Sequence, residues 1–592
     1  MRSQEIQQLL ETGLSHHQAG RADEADAIYR RVLAAQPDNH DALHLLGMLE
    51  AQRGRHELAL ALLRRATAIA PAFAPFHLHL GQTLATMGRH EEAIASYARA
   101  VDLDPRDPLA RCDAGISLMM LGRVAHAVDQ LRIASELAPN DPVLLANYGF
   151  GLGKMGRLDE AIAILARAVS QGPEHPGPWT QYAEMLWRRG RYDEAVAPAR
   201  RGVELAPKDP RALVLLGNTL QTVAGFEEAA ELYRRAAGME PNNPDAPSNL
   251  ALTLLKMGEA HAALELYEQV LTRWPTHTDA LANRSLALLT LGNLRRGFSE
   301  YEARWKSPLL RKYNFAQPLW DGSDPSGKTI LLVSEQGLGD TIQFVRYAPL
   351  VAARGAKVLL MCAADLQPLM QTVEGIAAVF TPADALPPFD AYAPLASLPG
   401  LFDTMLETIP AQVPYVRADP DRIAKWRARL GDANVLKVGI VWGGSPAHQN
   451  DRSRSCTLPD FAPLSEVEEV VLYSLQKGAA AAQVASPPAM RFFHLGEELA
   501  DFSDTAAVLE CLDLLIAVDT SVVHLAGALA RPVWTLLARG PDWRWMLDRD
   551  DSPWYPTMRL LRQPRPGDWK PVFERAKSDL ADLVHAQRKE RS

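Results

Sequence analysis

The stretch TILLVSEQGLGDTIQF, residues 329–344, decides how the second half of this chain is read. Its apolar start, 329–334, has the length and composition of a buried strand. Glu335 and Gln336 follow, then two glycines, Gly337 and Gly339, and Asp340 at the head of a segment that reads as a helix. Glycines let a backbone pass close to a ligand. The loop is open to three readings: a phosphate cradle, the housing of a catalytic base, or a capped helix start. The cap reading puts Asp340 at the N-cap with Gln343 three residues on.

Toward the C-terminus the pattern of short apolar runs and helical stretches continues. TILLVS, AKVLLMC and AAVF read as strands of one sheet, with FDAYAPL as an irregular edge. VLKVGIVW, EVVLYSL, LDLLIAVD and RPVWTLLA form a second set, with helices between them such as 505–512 and 522–530. Alternation of this kind predicts two parallel, Rossmann-like sheets. The proline-dotted segment 410–432 divides them into domains 328–432 and 433–592. Ligands of such folds sit in the cleft at the carboxyl ends of the strands.

Three loops therefore carry the candidate chemistry. The first holds Gln336, Gly337, Gly339 and Asp340. The second, GGSPAHQNDRSRS, holds Ser445, Asn450, Arg452 and Arg454, with Gln476 and Lys477 of SLQKG beside it. The third, DTSVVHLAGAL, holds Asp519, Thr520, Ser521 and His524 at a helix start. Cations next to the N–H groups of a helix N-terminus make a phosphate or diphosphate site, whereas arginines in isolated loops are ordinarily just solvated. His524 reads either as a phosphate donor or as a packed core histidine. The run PDWRWMLDRDDSPWYP either stacks a base and shapes the acceptor mouth or packs the domains together. The final helix, from Val572 to about Gln587, is expected to cross back onto the first sheet.

One motif fails its context. GSDPSGKT, 322–329, satisfies the Walker A pattern, but that loop must follow a strand and open a helix. Here nothing strand-like precedes Gly322, and a strand follows Lys328. A turn ahead of the sheet explains it better.

Toward the N-terminus the chain becomes periodic. Prolines recur every 34 residues from 37 to 275, and alanines keep the same step from Ala25 to Ala263. Glycines do so at Gly20, Gly54, Gly88, Gly122, Gly156, Gly190, Gly258 and Gly292. This is the signature of tetratricopeptide repeats, two antiparallel helices per unit, and it predicts an α-solenoid of about nine units over 1–305, followed by a linker at 306–327. The ninth unit lacks its proline, has Gly297 in place of the alanine, and reads as a cap. One position of each first helix forms the row His79, Asp113, Asn147, Gln181, Leu215, Asn249 and Asn283. Its amides, Asn147, Gln181, Asn249 and Asn283, carry both donor and acceptor and suit an extended peptide backbone; a solvated polar face is the plain alternative.

The remaining signals narrow the class. With 47% hydrophobic and 22% charged residues the chain is an ordinary globular one. A net charge of −9 and the absence of a basic run argue against nucleic acid as a partner. No signal peptide or membrane span is evident, and Cys112, Cys362, Cys456 and Cys511 lie far apart, so a cytoplasmic location with reduced thiols is expected.

GLGDTIQF and VDTSVVHLAGALARPVWTLL resemble the bacterial lipopolysaccharide heptosyltransferases, glycosyltransferase family 9, whose two-domain architecture is the GT-B fold. The whole chain is similar to a bacterial subgroup with a tetratricopeptide array ahead of that domain. There VGIVWGGSPAHQNDRSRS, SLQKG, DFSDTAA, GPDWRWML and SPWYPTMRLLRQ all have counterparts. The resemblance runs from Lys328 to the C-terminus. Some of these relatives are implicated in glycosylating flagellin, and the layout is similar to eukaryotic O-GlcNAc transferase.

The resemblance implies a metal-independent transferase that moves a sugar from a nucleotide sugar to Ser or Thr hydroxyls of a protein held by the repeats. Asp340 would be the general base, and Asp519, Thr520 and Ser521 would lie near the sugar and diphosphate. The heptosyltransferases place a lysine in the loop where this chain has Arg452 and Arg454, so ADP-heptose does not follow as donor. Nucleotide sugar is a substrate here, and no cofactor is expected. Rival readings are transfer to a lipopolysaccharide or lipid-linked sugar, and a repeat scaffold without activity. Arrays of this type can pair, which makes a homodimer one of the expected assemblies.

Overall fold

The 34-residue period becomes helix pairs. The computed structural model describes residues 3–306, 313, 315–431, 435–446, 448 and 450–591, which pack as two compact units, Met1–Thr219 and Leu220–Ser592. In the first unit Ser3–Gln18 pairs with Ala22–Ala35, His40–Gln52 with His56–Ile69, and so on to Pro176–Arg188 with Tyr192–Leu205. The turn glycines take the left-handed conformation that favours glycine, as at Gly20 with φ of 73° and Gly54 with 77°. Ala25, Ala59, Ala93, Ala127, Ala161 and Ala195 are fully buried where paired helices touch. The close approach has a second guard. A Cβ on Gly81 would lie 2.5 Å from the Tyr97 ring, and one on Gly115 2.7 Å from Leu131.

The second unit opens with the helices Phe226–Met239, Asp245–Lys256, Ala260–Arg273, Thr278–Thr290 and Leu294–Tyr301. Ala224 occupies the turn position that glycine holds elsewhere, with φ of 64°. Two parallel sheets follow. The first contains β1 (Thr329–Val333), β2 (Lys357–Met361), β3 (Ile376–Phe380) and β4 (Ala391–Pro394), in the order β3-β2-β1-β4. The second contains β5 (Leu436–Val441), β6 (Val470–Ser474), β7 (Phe492–His494), β8 (Leu514–Val518), β9 (Val533–Leu537) and β10 (Met558–Arg562). Its order is β10-β9-β8-β5-β6-β7. Ile330 pairs with Val358 on one side and Ala391 on the other, and Val438 pairs with Leu472 and Leu514. In each sheet the chain winds outward from its first strand, then returns to that strand's other side. The reversals flank β1 and β5, which is where a parallel sheet opens a crevice for ligands.

The change from helix to strand near 305 is not where packing divides the chain. Leu289, Leu294 and Phe298 belong to the same buried cluster as Ile330, Leu332, Trp543 and Trp554, so the last repeats share a core with the sheets. Part of the expected linker and the 432/433 boundary fall outside the described residues. The terminal helix differs from expectation. Lys570–Arg591 lays Val572, Phe573, Ala576, Leu580 and Val584 against Val438, Ile440 and Phe461, so it packs on the second sheet and does not cross to the first. Its apolar stripe is already covered there. The segment at 322–328 is a turn, Lys328 N–H donating 3.0 Å to the Pro325 carbonyl, and it leads directly into β1 without opening a helix.

Candidate functional site

Side chains from both sheets and from the last repeats surround one cleft of about 1130 Å³ within the second unit. The loop after β1 contributes residues 336–340. Residues after β5 include Ser445, His448, Asn450 and Arg454; Gln476 and Lys477 follow β6, and Asp519, Thr520, Ser521 and His524 follow β8. These come together because parallel strands deliver all their following loops to one edge. Arg452 is exposed and is not among the residues lining the cleft. Asn147 and Gln181 lie in the first unit; Asn249 and Asn283 lie on second-unit helices whose neighbouring residues line the cleft.

Asp340 is not the N-cap. Gly337 holds that place, and Asp340, at the third helical position, turns its carboxylate back to accept 2.7 Å from the Gly337 N–H. Its other oxygen is ion-paired with Arg544. Gln343 has no part in the cap; its side-chain oxygen accepts from Arg544 Nε. Arg544 also donates 2.7 Å to Asp542, so one guanidinium gathers Asp340, Asp542 and Gln343. Burial opposes its charge, but Asp542 and Asp340 outweigh it and hold the guanidinium protonated beyond its ordinary range. Sequence reading saw the PDWRWML run for its tryptophans and missed this residue. An aspartate two positions before an arginine flanked by tryptophans was the available signal. The tryptophans themselves serve packing: Trp545 and Trp554 are buried, and Trp543 meets Phe298 edge-on at 5.4 Å.

Opposite this cluster the helix Ser521–Ala528 points its N-terminus at the cleft. Thr520 stands at its N-cap without a side-chain capping bond, and its buried hydroxyl oxygen has no partner among the described residues. The two helix starts nearly touch: a Cβ on Gly339 would sit 2.8 Å from the His524 ring and 3.4 Å from Ser521 Cα. Burial, then Asp542, pushes the Asp519 carboxyl up to about 6. Arg454 lies beside Asp451 at 3.5 Å and lines the cleft. Lys477 donates to the Leu499 carbonyl at the same mouth.

Three expected ligand contacts have other work. Gln476 accepts from the N–H groups of Trp442 and Gly443 at 2.9 and 2.8 Å and donates to the carbonyls of Gly443 and Lys477. Its amide is fully occupied in bracing the loops after β5 and β6. His524 is neutral, its pKa driven well down by burial and then by Arg544 and Arg346; Nδ1 lies 3.0 Å from the Tyr555 hydroxyl and the ring stacks on Trp545. Packing is therefore its role, not charge donation. Gln336 exchanges hydrogen bonds with Tyr301, at 2.7 Å in one direction, which fastens the glycine loop to the end of the repeats. Arg304 does the same, donating 2.8 Å to buried Glu335 and reaching Ser397.

In the repeat row Asn147 donates 3.2 Å to the Cys112 thiol, and Asp113 accepts 2.8 Å from Gln82, so both tie adjacent repeats together. The Gln181 carbonyl oxygen is buried without a partner among the described residues.

The helix-pair architecture and its glycine turns define the N-terminal half as tetratricopeptide repeats. Two family profiles described as tetratricopeptide repeat agree, one matching residues 51–111 and 154–218, the other 10–72 and 248–308. Among curated proteins, Protein FlbA of Caulobacter vibrioides is 28% identical over 319 residues, 49% of this chain and 52% of that protein. The chain thus spans about half the length of that relative. Among solved structures, the APC/C hetero-tetramer Cut9-Hcn1 is similar with 19% identity and a TM-score of 0.37, over 41% of this chain and 48% of that one. YrrB, a TPR protein described as having an unusual peptide-binding site, is similar with 23% identity and a TM-score of 0.26, over 31% of this chain and 95% of that one.

Proposed function

We propose that this chain is a glycosyltransferase of GT-B type that moves a sugar from a nucleotide sugar onto a Ser or Thr hydroxyl of a protein acceptor, flagellin among the candidates. The observation that carries the reading is the cleft itself. It joins a carboxylate, Asp340, to a helix N-terminus with an unpartnered hydroxyl at Thr520 and to the cations Arg454 and Lys477. In this reading the acceptor oxygen bonds to the anomeric carbon as the bond from that carbon to the phosphate breaks. The hydroxyl proton passes to Asp340, and the electron pair leaves with the nucleotide. Arg454, Lys477 and the N–H groups of the Ser521–Ala528 helix receive the departing charge, which spares the reaction a metal. Arg544 is a positioning residue that fixes Asp340 at the cleft.

A second reading is favoured by one observation: Asp340 is engaged on both sides, by Gly337 N–H and by Arg544. A carboxylate so held also suits a strut, and the chain would then be a scaffold that binds without turnover. Thermal shift and donor hydrolysis across a panel of nucleotides and nucleotide sugars separate the two. A real donor raises the melting temperature with dose, and Arg454→Ala abolishes the shift. A folded protein that answers to no nucleotide sinks the transferase.

A further inference from the structure

We propose that the repeat-side wall of the cleft is an acceptor subsite for an extended polypeptide segment, engaging one apolar and one carboxylate side chain near the hydroxyl to be modified. This deepens the transferase reading and rests on it for its meaning. The cavity that contains Asp340 continues onto the helices Asp245–Lys256 and Thr278–Thr290, where Leu252, Leu255, Leu286 and Lys256 line it. Leu250, Leu254, Leu288 and Leu289 are buried in the packing of these repeats, whereas Leu252, Leu255 and Leu286 are only partly buried and line the cavity, Leu286 with its other side against the core. Three leucines grouped on the wall opposite the cations Arg454 and Lys477 are an apolar shelf that fits a side chain.

Lys256 supplies the second half. Its amine reaches the neutral Gln221 side chain at 3.3 Å, and among the described residues no carboxylate is paired with it. Burial lowers it to about 8, which leaves it mostly protonated near neutrality and short of a counter-charge. An anionic group on the ligand completes it. Phosphates have their own cations at the other wall, Arg454 and Lys477, so the anion at Lys256 is assigned to the acceptor. The polypeptide character follows from spacing. Asn249 precedes Leu252 by three residues and Asn283 precedes Leu286 by three, so on each helix an amide and a shelf leucine share a face. Amides satisfy a peptide backbone in both directions.

The test uses the full chain and a phage-displayed library of random dodecapeptides, selected in parallel on wild type, Lys256→Gln and Leu286→Asp. Wild type is expected to enrich Asp or Glu close to an aliphatic or aromatic residue. Lys256→Gln should erase the acidic preference and leave the apolar one, and Leu286→Asp should do the reverse. For a synthetic winner, Lys256→Gln should weaken binding roughly tenfold, and replacing the peptide's Glu by Gln should then cost nothing further. No paired enrichment, or enrichment unchanged in both variants, overturns the subsite. Nucleotide-sugar thermal shifts on the same proteins keep the two failures apart. If Lys256→Gln removes the nucleotide shift and leaves peptides untouched, the wall belongs to the donor and the subsite falls while the transferase stands. If no nucleotide binds but the peptide cycle closes, the transferase falls, and with it the acceptor role, while the wall stands as a peptide-binding site.

Discussion

The repeats of the first unit and the cleft of the second bring polar side chains together from different distances along the chain. Between repeats, Gln82 finds Asp113 and Asn147 finds Cys112, each roughly one period away, so a polar residue meets its partner through the stacking itself. At the cleft, groups converge from far-separated positions such as 340 and 544, and the Thr520 hydroxyl that faces it is buried without a partner among the described residues. Unmet hydrogen-bonding capacity costs free energy, and it persists where something else profits from it. The contrast that holds is in where partners come from: one period away in the repeats, and from segments far apart in sequence at the cleft.

The sharpest way to break the contrast is Asp340→Asn. Asparagine keeps only one of the two acceptor oxygens, so either Gly337 N–H or the Arg544 guanidinium loses its partner, and stability should fall by about 1–3 kcal/mol with the fold retained through Asp542 and Gln343. A general base cannot be replaced so, and turnover should fall on the order of 10²- to 10⁴-fold while nucleotide and peptide binding remain. Unchanged turnover with only the loss of stability would return Asp340 to the role of a strut.

Glu335 tests the same contrast through pH. It is buried where the repeats' end meets β1, and burial raises its carboxyl from 4.5 to about 7, with Arg304 only partly offsetting. The folded form therefore holds a proton that the unfolded chain releases above 4.5. Wild-type stability falls relative to Glu335→Gln as pH rises from about 4.5 to about 7, by about 3 kcal/mol, and the difference is flat beyond. Urea unfolding of both proteins at pH 4.5, 6 and 8 measures it. A difference constant with pH would mean that Arg304 pairs with an already ionised carboxylate.

How much of this was legible follows from the same contrast. The repeats are legible because the period states the same signal many times: Gly20, Gly54 and Gly88 each report one turn, and Ala25, Ala59 and Ala93 one buried contact. β1 and its loop were legible from an apolar run followed by glycines. β7 and β10 were not, since FFH is only three residues and MRLLR carries arginine at both flanks of its apolar core. The roles of Arg544 and Gln476 were invisible because each acts on residues far off in sequence, Arg544 on 340 and Gln476 on 442–443. His524 and Gln476 looked available from their loop positions; burial and the hydrogen bonds around them, which no local pattern encodes, decide otherwise.

Two glycine substitutions weigh the regions against each other. Gly81→Ala in the repeats drives a Cβ to 2.5 Å from the Tyr97 ring, and Gly540→Ala drives one to 1.9 Å from the Lys256 carbonyl oxygen. Each should cost about 1–3 kcal/mol by overpacking. Only the second should also weaken nucleotide binding, because the loop carrying Asp542 and Arg544 must move off the helix it rests on. Isothermal titration on both proteins decides; equal effects on binding would mean the loop's position does not matter to the cleft.

The smallest effect concerns the one turn where the period lapses. Ala224 stands in the left-handed region at φ of 64°, where the other repeat turns place glycine. A Cβ there is strained by about 1–2 kcal/mol, because it crowds the following carbonyl. Ala224→Gly removes the strain but gives the unfolded chain more freedom, which returns up to about 1 kcal/mol. The balance should raise stability by about 0.5–1 kcal/mol. Gly190→Ala at the equivalent turn, φ of 82°, should lower it by a similar amount. A cycle in chemical denaturation on the two variants reads both signs. If Ala224→Gly destabilises instead, the turn at 224 is held by its neighbours in a form glycine loosens, and the lapse in the period would then be a local solution and not a defect.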